Sequence, residues 1–236
     1  MGKRLQSVLH PSPLPRLAYE RLRDSILEGH LKPGEMLNEA TLAKELGISR
    51  TPLREALLEL SVQGLIKILP RKGVQINYFT ERDVEEVFEL RKIIELAAVD
   101  KLTHLTNRQP DFSQLQKTLH EQRKASKGED YITFLRADNL FHKTLCDFTG
   151  NQRIVAIMKD LWSIIRMMGL QALERPRRWE QILDEHQAII TTMKQKDRNE
   201  AMKAMEYYLE QTIEGILEQL RVLTAMENKQ SIQLIR

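Results

Sequence analysis

Asp138 and His142 stand four residues apart, and helical periodicity places both in the apolar arc of Phe134, Leu135, Phe141 and Leu145. They point inward together. His186 falls in a second apolar stripe made by Trp179, Ile182, Leu183, Ile189, Ile190 and Met193, so it points inward too. An ionisable group is costly to bury unless it is paired, hydrogen-bonded or ligated. Each residue alone reads as a hydrogen-bonded core residue. Two imidazoles and one carboxylate meeting in one interior also form a three-ligand set for Zn, Ni, Mn or Fe, with coordination positions left for a ligand oxygen. Arg91 lies in the arc of Val84, Val87, Phe88 and Ala98 with Glu95 one turn later, which reads as a buried ion pair or an anion-binding arginine. The same metal set serves non-haem iron oxygenases. An enzyme is disfavoured, because those sites usually sit in β-barrels and no further general base or nucleophile accompanies the three residues. A purely architectural DNA-binding protein is disfavoured as well, since it would carry apolar residues at these inward positions.

A second group of residues has the chemistry of phosphate and base edges. Leu53, Leu57 and Leu60 are spaced by four and three, which fixes the buried face of one helix and turns Arg50, Thr51 and Arg54 outward at its start. Ser49 is its expected cap, with Pro52 in the first turn, where the missing N–H costs nothing. Arginine there can bond a guanine edge bidentately, and threonine can meet a phosphate or a thymine methyl. A solvated charged helix end is the plainer alternative. Against it stand a preceding helix, Glu39 to Leu46, capped by Asn38 and closed by Gly47, and a following hairpin. That hairpin is expected as strands Leu65 to Leu69 and Val74 to Tyr78 around a basic tip of Pro70, Arg71, Lys72 and Gly73.

These elements need a frame. The first 78 residues alternate short helical patterns with turn signals and carry 12 Lys/Arg against 8 Asp/Glu; the rest carries 24 against 25 and is almost continuous helical periodicity. A basic N-terminal domain over residues 1–78 and a neutral one over 79–236 follow, with Thr80 and Asp83 as a capping box at the junction. Leu17, Leu22 and Ile26 mark a first helix closed by Gly29, preceded by an arm punctuated at Pro11, Pro13 and Pro15. Six helices are expected beyond Thr80, over roughly 80–104, 111–126, 130–148, 151–172, 177–196 and 198–226. The expected fold is mostly α: an N-terminal winged helix-turn-helix and a C-terminal all-α helical bundle. No signal peptide, myristoylation site or apolar run of roughly 20 residues is read. Cys146 is the single cysteine. A reducing cytoplasm is the expected compartment.

The run Leu37 to Val74, with the core SRTPLREAL, resembles the winged helix of the GntR family of bacterial transcription regulators. The resemblance implies that Arg50, Thr51, Pro52 and Arg54 face the major groove of a double-stranded DNA operator, and that Arg71, Lys72 and Gly73 form a wing tip in the minor groove. Members of the FadR subfamily often add an arginine in the second helix, where this sequence has Ala40. From residue 80 to 226 the chain resembles the FCD effector domain, most closely in DNLFHKTLCDFTGN, Asp138 to Asn151, and in Asp184 to His186. This implies Asp138, His142 and His186 as metal ligands. Tyr208 stands where the family's last histidine falls, and there it can ligate weakly, bond an effector or fill space. Six helices rather than seven are similar to the VanR-type subgroup, which implies a small organic acid, contacted by Arg91 and Tyr208, as effector. A homodimeric repressor is the expected whole.

Overall fold

The protein, described here by a computed structural model over residues 13–104, 110–171 and 176–233, divides into two compact units that meet in the chain at Tyr78 and Phe79. In the first unit, α1 spans Pro13–Leu27, so Pro13 and Pro15 lie in its first turn and belong to a helix rather than an arm. Proline is preorganised for that position and loses no hydrogen bond there. The part of the expected arm before Pro13 lies outside the described residues. After α1 come β1 (Met36–Leu37), α2 (Glu39–Leu46), α3 (Arg50–Val62), β2 (Ile66–Leu69) and β3 (Gly73–Ile76).

Local chemistry sets the boundaries of α2. Asn38 Oδ1 accepts from the amides of Ala40 at 2.8 Å and Thr41 at 3.3 Å, and Gly47 closes the helix in the left-handed region at φ 65°. Ser49 occupies the cap position of α3 without a side-chain hydrogen bond. Leu53, Leu57 and Leu60 are buried with Tyr19, Leu22 and Ile26 of α1 and Val74 and Ile76 of the hairpin. The sheet order is β1-β3-β2, antiparallel throughout, with Ile66 opposite Ile76 and Leu69 opposite Gly73. β1 is absent from the sequence reading, and its pairing with β3 explains Gly73. A Cβ there would lie 2.5 Å from the Leu37 carbonyl oxygen, and φ is +111°, so Gly73 opens β3 instead of ending the wing tip.

The second unit is described as six helices: α4 (Glu81–Thr103), α5 (Ser113–Lys127), α6 (Tyr131–Phe148), α7 (Gln152–Gln171), α8 (Pro176–Lys194) and α9 (Arg198–Gln233). Thr80 and Asp83 form the capping box that opens α4. Asp130 caps α6 by accepting from Thr133 N at 3.0 Å, and Gly150, at φ 67°, turns the chain toward α7. Leu115 and Leu119 of α5, Phe134, Phe141 and Leu145 of α6, Ile189 and Ile190 of α8, and Met205 and Leu209 of α9 make one core. A smaller cluster joins Cys146 to Met158, Leu161, Trp162 and Ile165 of α7. Burial pushes the Cys146 thiol up, with Glu95 adding to it, so this cysteine is a packed residue and not a reactive thiol. Among the described residues no helix is long and apolar enough to cross a membrane.

Candidate functional site

Seven polar side chains close a ring inside the six-helix unit. Arg91 Nε donates to Glu95 Oε1 at 2.6 Å, and Glu95 Oε2 lies 2.6 Å from His142 Nδ1. His142 Nε2 faces His186 Nε2 at 3.2 Å, and His186 Nδ1 lies 2.9 Å from Gln122 Oε1. Gln122 Nε2 donates to Asp138 Oδ1 at 3.0 Å, the Tyr208 hydroxyl reaches the same oxygen at 3.2 Å, and Arg91 Nη2 donates to that hydroxyl at 3.2 Å. All seven are buried, Arg91 at 1% exposure and Asp138, the most exposed, at 7%. Gln122 escaped the sequence reading although its position repeats the stripe of Leu115 and Leu119 at spacings of four and three.

The ring fixes its own protons. Burial alone would raise the Glu95 carboxyl, but Arg91 and His142 outweigh it and hold Glu95 at about 2. As a carboxylate it only accepts, so His142 Nδ1 carries the hydrogen. Gln122 spends its amide hydrogen on Asp138 and offers its oxygen to His186, so His186 Nδ1 is protonated as well. Burial, then His142, Arg91 and Arg178, hold His186 well below the usual imidazole range. With the far nitrogens held in this way, the two Nε2 atoms converge on one point, and Asp138 Oδ1 lies 3.6 Å from His186 Nε2. In the metal-free ring one Nε2 can donate to the other across this 3.2 Å, and a metal ion would take the lone pair of both.

This donor set fits a divalent ion. The ligand atoms of Asp138, His142 and His186 lie within 4.8 Å of one another. Bonds of about 2.0–2.1 Å to zinc set neighbouring tetrahedral nitrogens about 3.3 Å apart, close to the 3.2 Å observed. Glu95 and Gln122 hold the far nitrogens of the two rings, as the outer partners of metal-bound histidines do. Tyr208 does not offer itself as a ligand of the same kind. Burial, with Asp138 and Glu95, lifts its phenol above the ordinary value against the pull of Arg91, and its hydroxyl is engaged by Asp138 and Arg91. Its ring stacks on His142 with centroids 4.7 Å apart.

A cavity of about 850 Å³ opens against this cluster, with Arg91, Asp138 and Tyr208 in its lining. Arg91 Nη1 is buried without a hydrogen-bond partner. Arg178, which the sequence reading did not single out, also lines it. This arginine is clamped to Glu185 at 2.5 Å and donates to the Thr212 hydroxyl at 3.2 Å.

In the first unit Arg50, Thr51 and Arg54 are exposed at the start of α3, Pro52 is half-buried, and Arg71 and Lys72 are exposed between β2 and β3. Arg54 Nε donates to Glu39 Oε2 at 2.8 Å, a partner from α2 absent from the sequence reading.

A winged helix followed by an all-helical domain defines the class as a two-domain transcription regulator. Residues 16–76 match the bacterial regulatory proteins of the gntR family, and residues 86–211 match the FCD domain. The chain belongs to the GntR family, with an FCD domain as its second part. It is 32% identical to the HTH-type transcriptional regulator YdhC of Bacillus subtilis, over 81% of this chain and 85% of that one. It is 31% identical to the gluconate operon transcriptional repressor of the same species, over 78% of this chain and 76% of that one. The crystal structure of a GntR regulator from Rhodococcus superposes with a TM-score of 0.80 at 25% identity, covering 88% of this chain and 99% of the other. These relatives are transcription regulators and not enzymes, which removes the oxygenase reading.

Proposed function

We propose that this regulator is a repressor whose operator affinity is set by a small organic acid bound in the cavity of the second unit, beside a divalent transition metal held by Asp138, His142 and His186. The observation that carries the effector half is the pair of Nε2 atoms facing each other at 3.2 Å next to a buried carboxylate, beside a cavity that Arg91 lines. When bound, the metal supplies a Lewis-acidic coordination position for a ligand oxygen. The chain's own residues do the rest. Glu95 and Gln122 orient the imidazoles, Tyr208 pins Asp138, and Arg91 directs an N–H at the effector carboxylate. Six described helices in this unit support the VanR-type subgroup.

For the DNA half, Arg50, Thr51, Pro52 and Arg54 enter the major groove, and Arg71 and Lys72 reach the backbone or minor groove, with Gly73 shaping their turn. Residues 1–78 are the DNA-binding domain, and 79–236 bind the effector and dimerise. One reading helix per chain calls for two chains on a palindrome. Leu90 and Ile93 of α4 and Ile157 of α7, exposed at 49%, 60% and 58%, offer an apolar face for the second copy. The relative named for repression of the gluconate operon supports the repressor sense.

Native mass spectrometry of tag-free protein, after incubation with Zn²⁺, Ni²⁺ or Mn²⁺, tests the assembly and the metal together. A dimer with bound metal is the expected spectrum. Monomers that stay metal-free would overturn both.

A further inference from the structure

The cavity has a polar end and an aromatic end, and the helices that line it set the distance between them. On α6, Phe134 lines it one turn before Asp138; on α8, Trp179 lines it two turns before the ligand His186. At 1.5 Å per residue these offsets are about 6 Å and about 10 Å along the helices. Phe134 and Trp179 stack with centroids 5.0 Å apart, and Tyr131 leans on the same indole at 5.3 Å. Ile165, Ile182 and Ile216 complete an apolar wall. Phe134 neighbours Asp138 on α6, so it is the Trp179 side of the cavity that a two-carbon or three-carbon acid on Arg91 would leave unfilled.

Charge narrows the ligand further. Among the described lining residues, Arg91, Arg166 and Arg178 are matched in number by Asp138, Glu214 and Glu218, so the cavity has no positive surplus for a polyanion. What the polar end offers is specific. Arg91, 1% exposed, lines the cavity and keeps Nη1 without a partner, so what it lacks is one further acceptor oxygen, such as a single carboxylate supplies. A volume of about 850 Å³ falls in the upper part of the roughly 300–1,000 Å³ range of pockets that enclose drug-sized ligands.

We infer that the effector is an aryl-substituted monocarboxylate, with its carboxylate on Arg91 and its ring against Trp179 and Phe134, which makes Trp179 the residue that selects for the ring. This rests on the reading of the cavity as the effector site. It departs from the polyhydroxy acid that the gluconate operon relative's name suggests, because a polyol would set hydroxyls against the aromatic wall.

Calorimetric titration of the full-length protein, with and without Zn²⁺, against acetate, gluconate, phenylacetate and 3-phenylpropionate tests the inference. The aryl acids are expected to bind at least about tenfold more tightly than acetate or gluconate, a difference of about 1.4 kcal/mol. Trp179→Ala should erase that advantage, and Trp179→Phe should keep most of it. Circular dichroism checks that both variants fold, and the wild-type series decides even if the alanine variant does not. Gluconate binding more tightly than either aryl acid would overturn the inference and leave the effector-site reading standing. Failure of all four acids to bind at millimolar concentrations would overturn both.

Discussion

His142 and His186 turn their Nε2 atoms toward each other at 3.2 Å, while Glu95 and Gln122 engage the opposite nitrogen of each ring. Rings held in this way have one direction left in which to bind, and it is the same direction for both. Tag-free protein incubated with Zn²⁺, Ni²⁺ or Mn²⁺ should therefore hold close to one equivalent of metal, read by elemental analysis. His186→Ala should weaken binding, and Tyr208→His should tighten it by offering a third imidazole beside the ring of His142. Less than about a tenth of an equivalent in every case would leave the ring as a metal-free polar cluster.

Glu95 neutralises Arg91 and orients His142, so its loss should be felt twice. Glu95→Gln keeps the shape but leaves a guanidinium buried without a counter-charge. Breaking a buried pair from one side costs about 3–5 kcal/mol, which urea denaturation would reveal. Metal affinity should fall about 10- to 100-fold as His142 loses its outer partner. A variant as stable as the parent would show that Arg91 finds another anion or water.

Acid should loosen the metal-free protein in a defined order. Burial keeps His186 neutral in the native state, whereas the unfolded chain takes up a proton there below about pH 6.5. That contribution is complete above about pH 6.5 and declines as the pH falls. Glu95, held at about 2 from an ordinary 4.5, contributes fully above about 4.5 and loses its contribution as the pH falls toward about 2. The melting temperature should therefore begin to drop between pH 6.5 and 5, before any carboxylate effect. His186→Asn should flatten that first decline. A melting temperature constant from pH 7.5 to 5 would contradict a neutral buried His186.

On the DNA side, Arg50→Ala should cost about 1–3 kcal/mol if the contact is bidentate to guanine, and relax specificity at one base per half-site. Arg54 is held by Glu39 across the α2–α3 turn, so Glu39→Ala should blur the same half-site while relieving repulsion of phosphate. With about 6 to 10 phosphate contacts, affinity should fall roughly 10³- to 10⁵-fold between about 50 and 200 mM salt. Gel-shift titrations on the regulator's own promoter region measure all three. A flat salt response would exclude the winged helix as the DNA-binding surface.

What the sequence determined by itself is local. Asn38 and Gly47 bound α2 because a cap and a left-handed glycine act within a few residues, and the leucine spacing of α3 decides its buried face wherever the helix sits. The same periodicity turned Asp138, His142, His186, Arg91 and Glu95 inward. β1 was not legible, because a two-residue strand has no pattern of its own and exists only by pairing with β3; with it went the reason for Gly73. Gln122 was legible in its spacing but carried no charge to single it out.

Only the tertiary structure decided which atoms meet. Gln122 reaches Asp138 across 16 residues, His186 reaches Gln122 across 64, and Tyr208 reaches Asp138 across 70. Tyr208 shows the same dependence: its hydroxyl bonds Asp138 and Arg91, and its ring stacks on His142. Helical periodicity states the direction of a side chain and is silent about what other helices bring opposite it. The facing Nε2 atoms, their partners on the far side of each ring and the aromatic side of the cavity are properties of that packing.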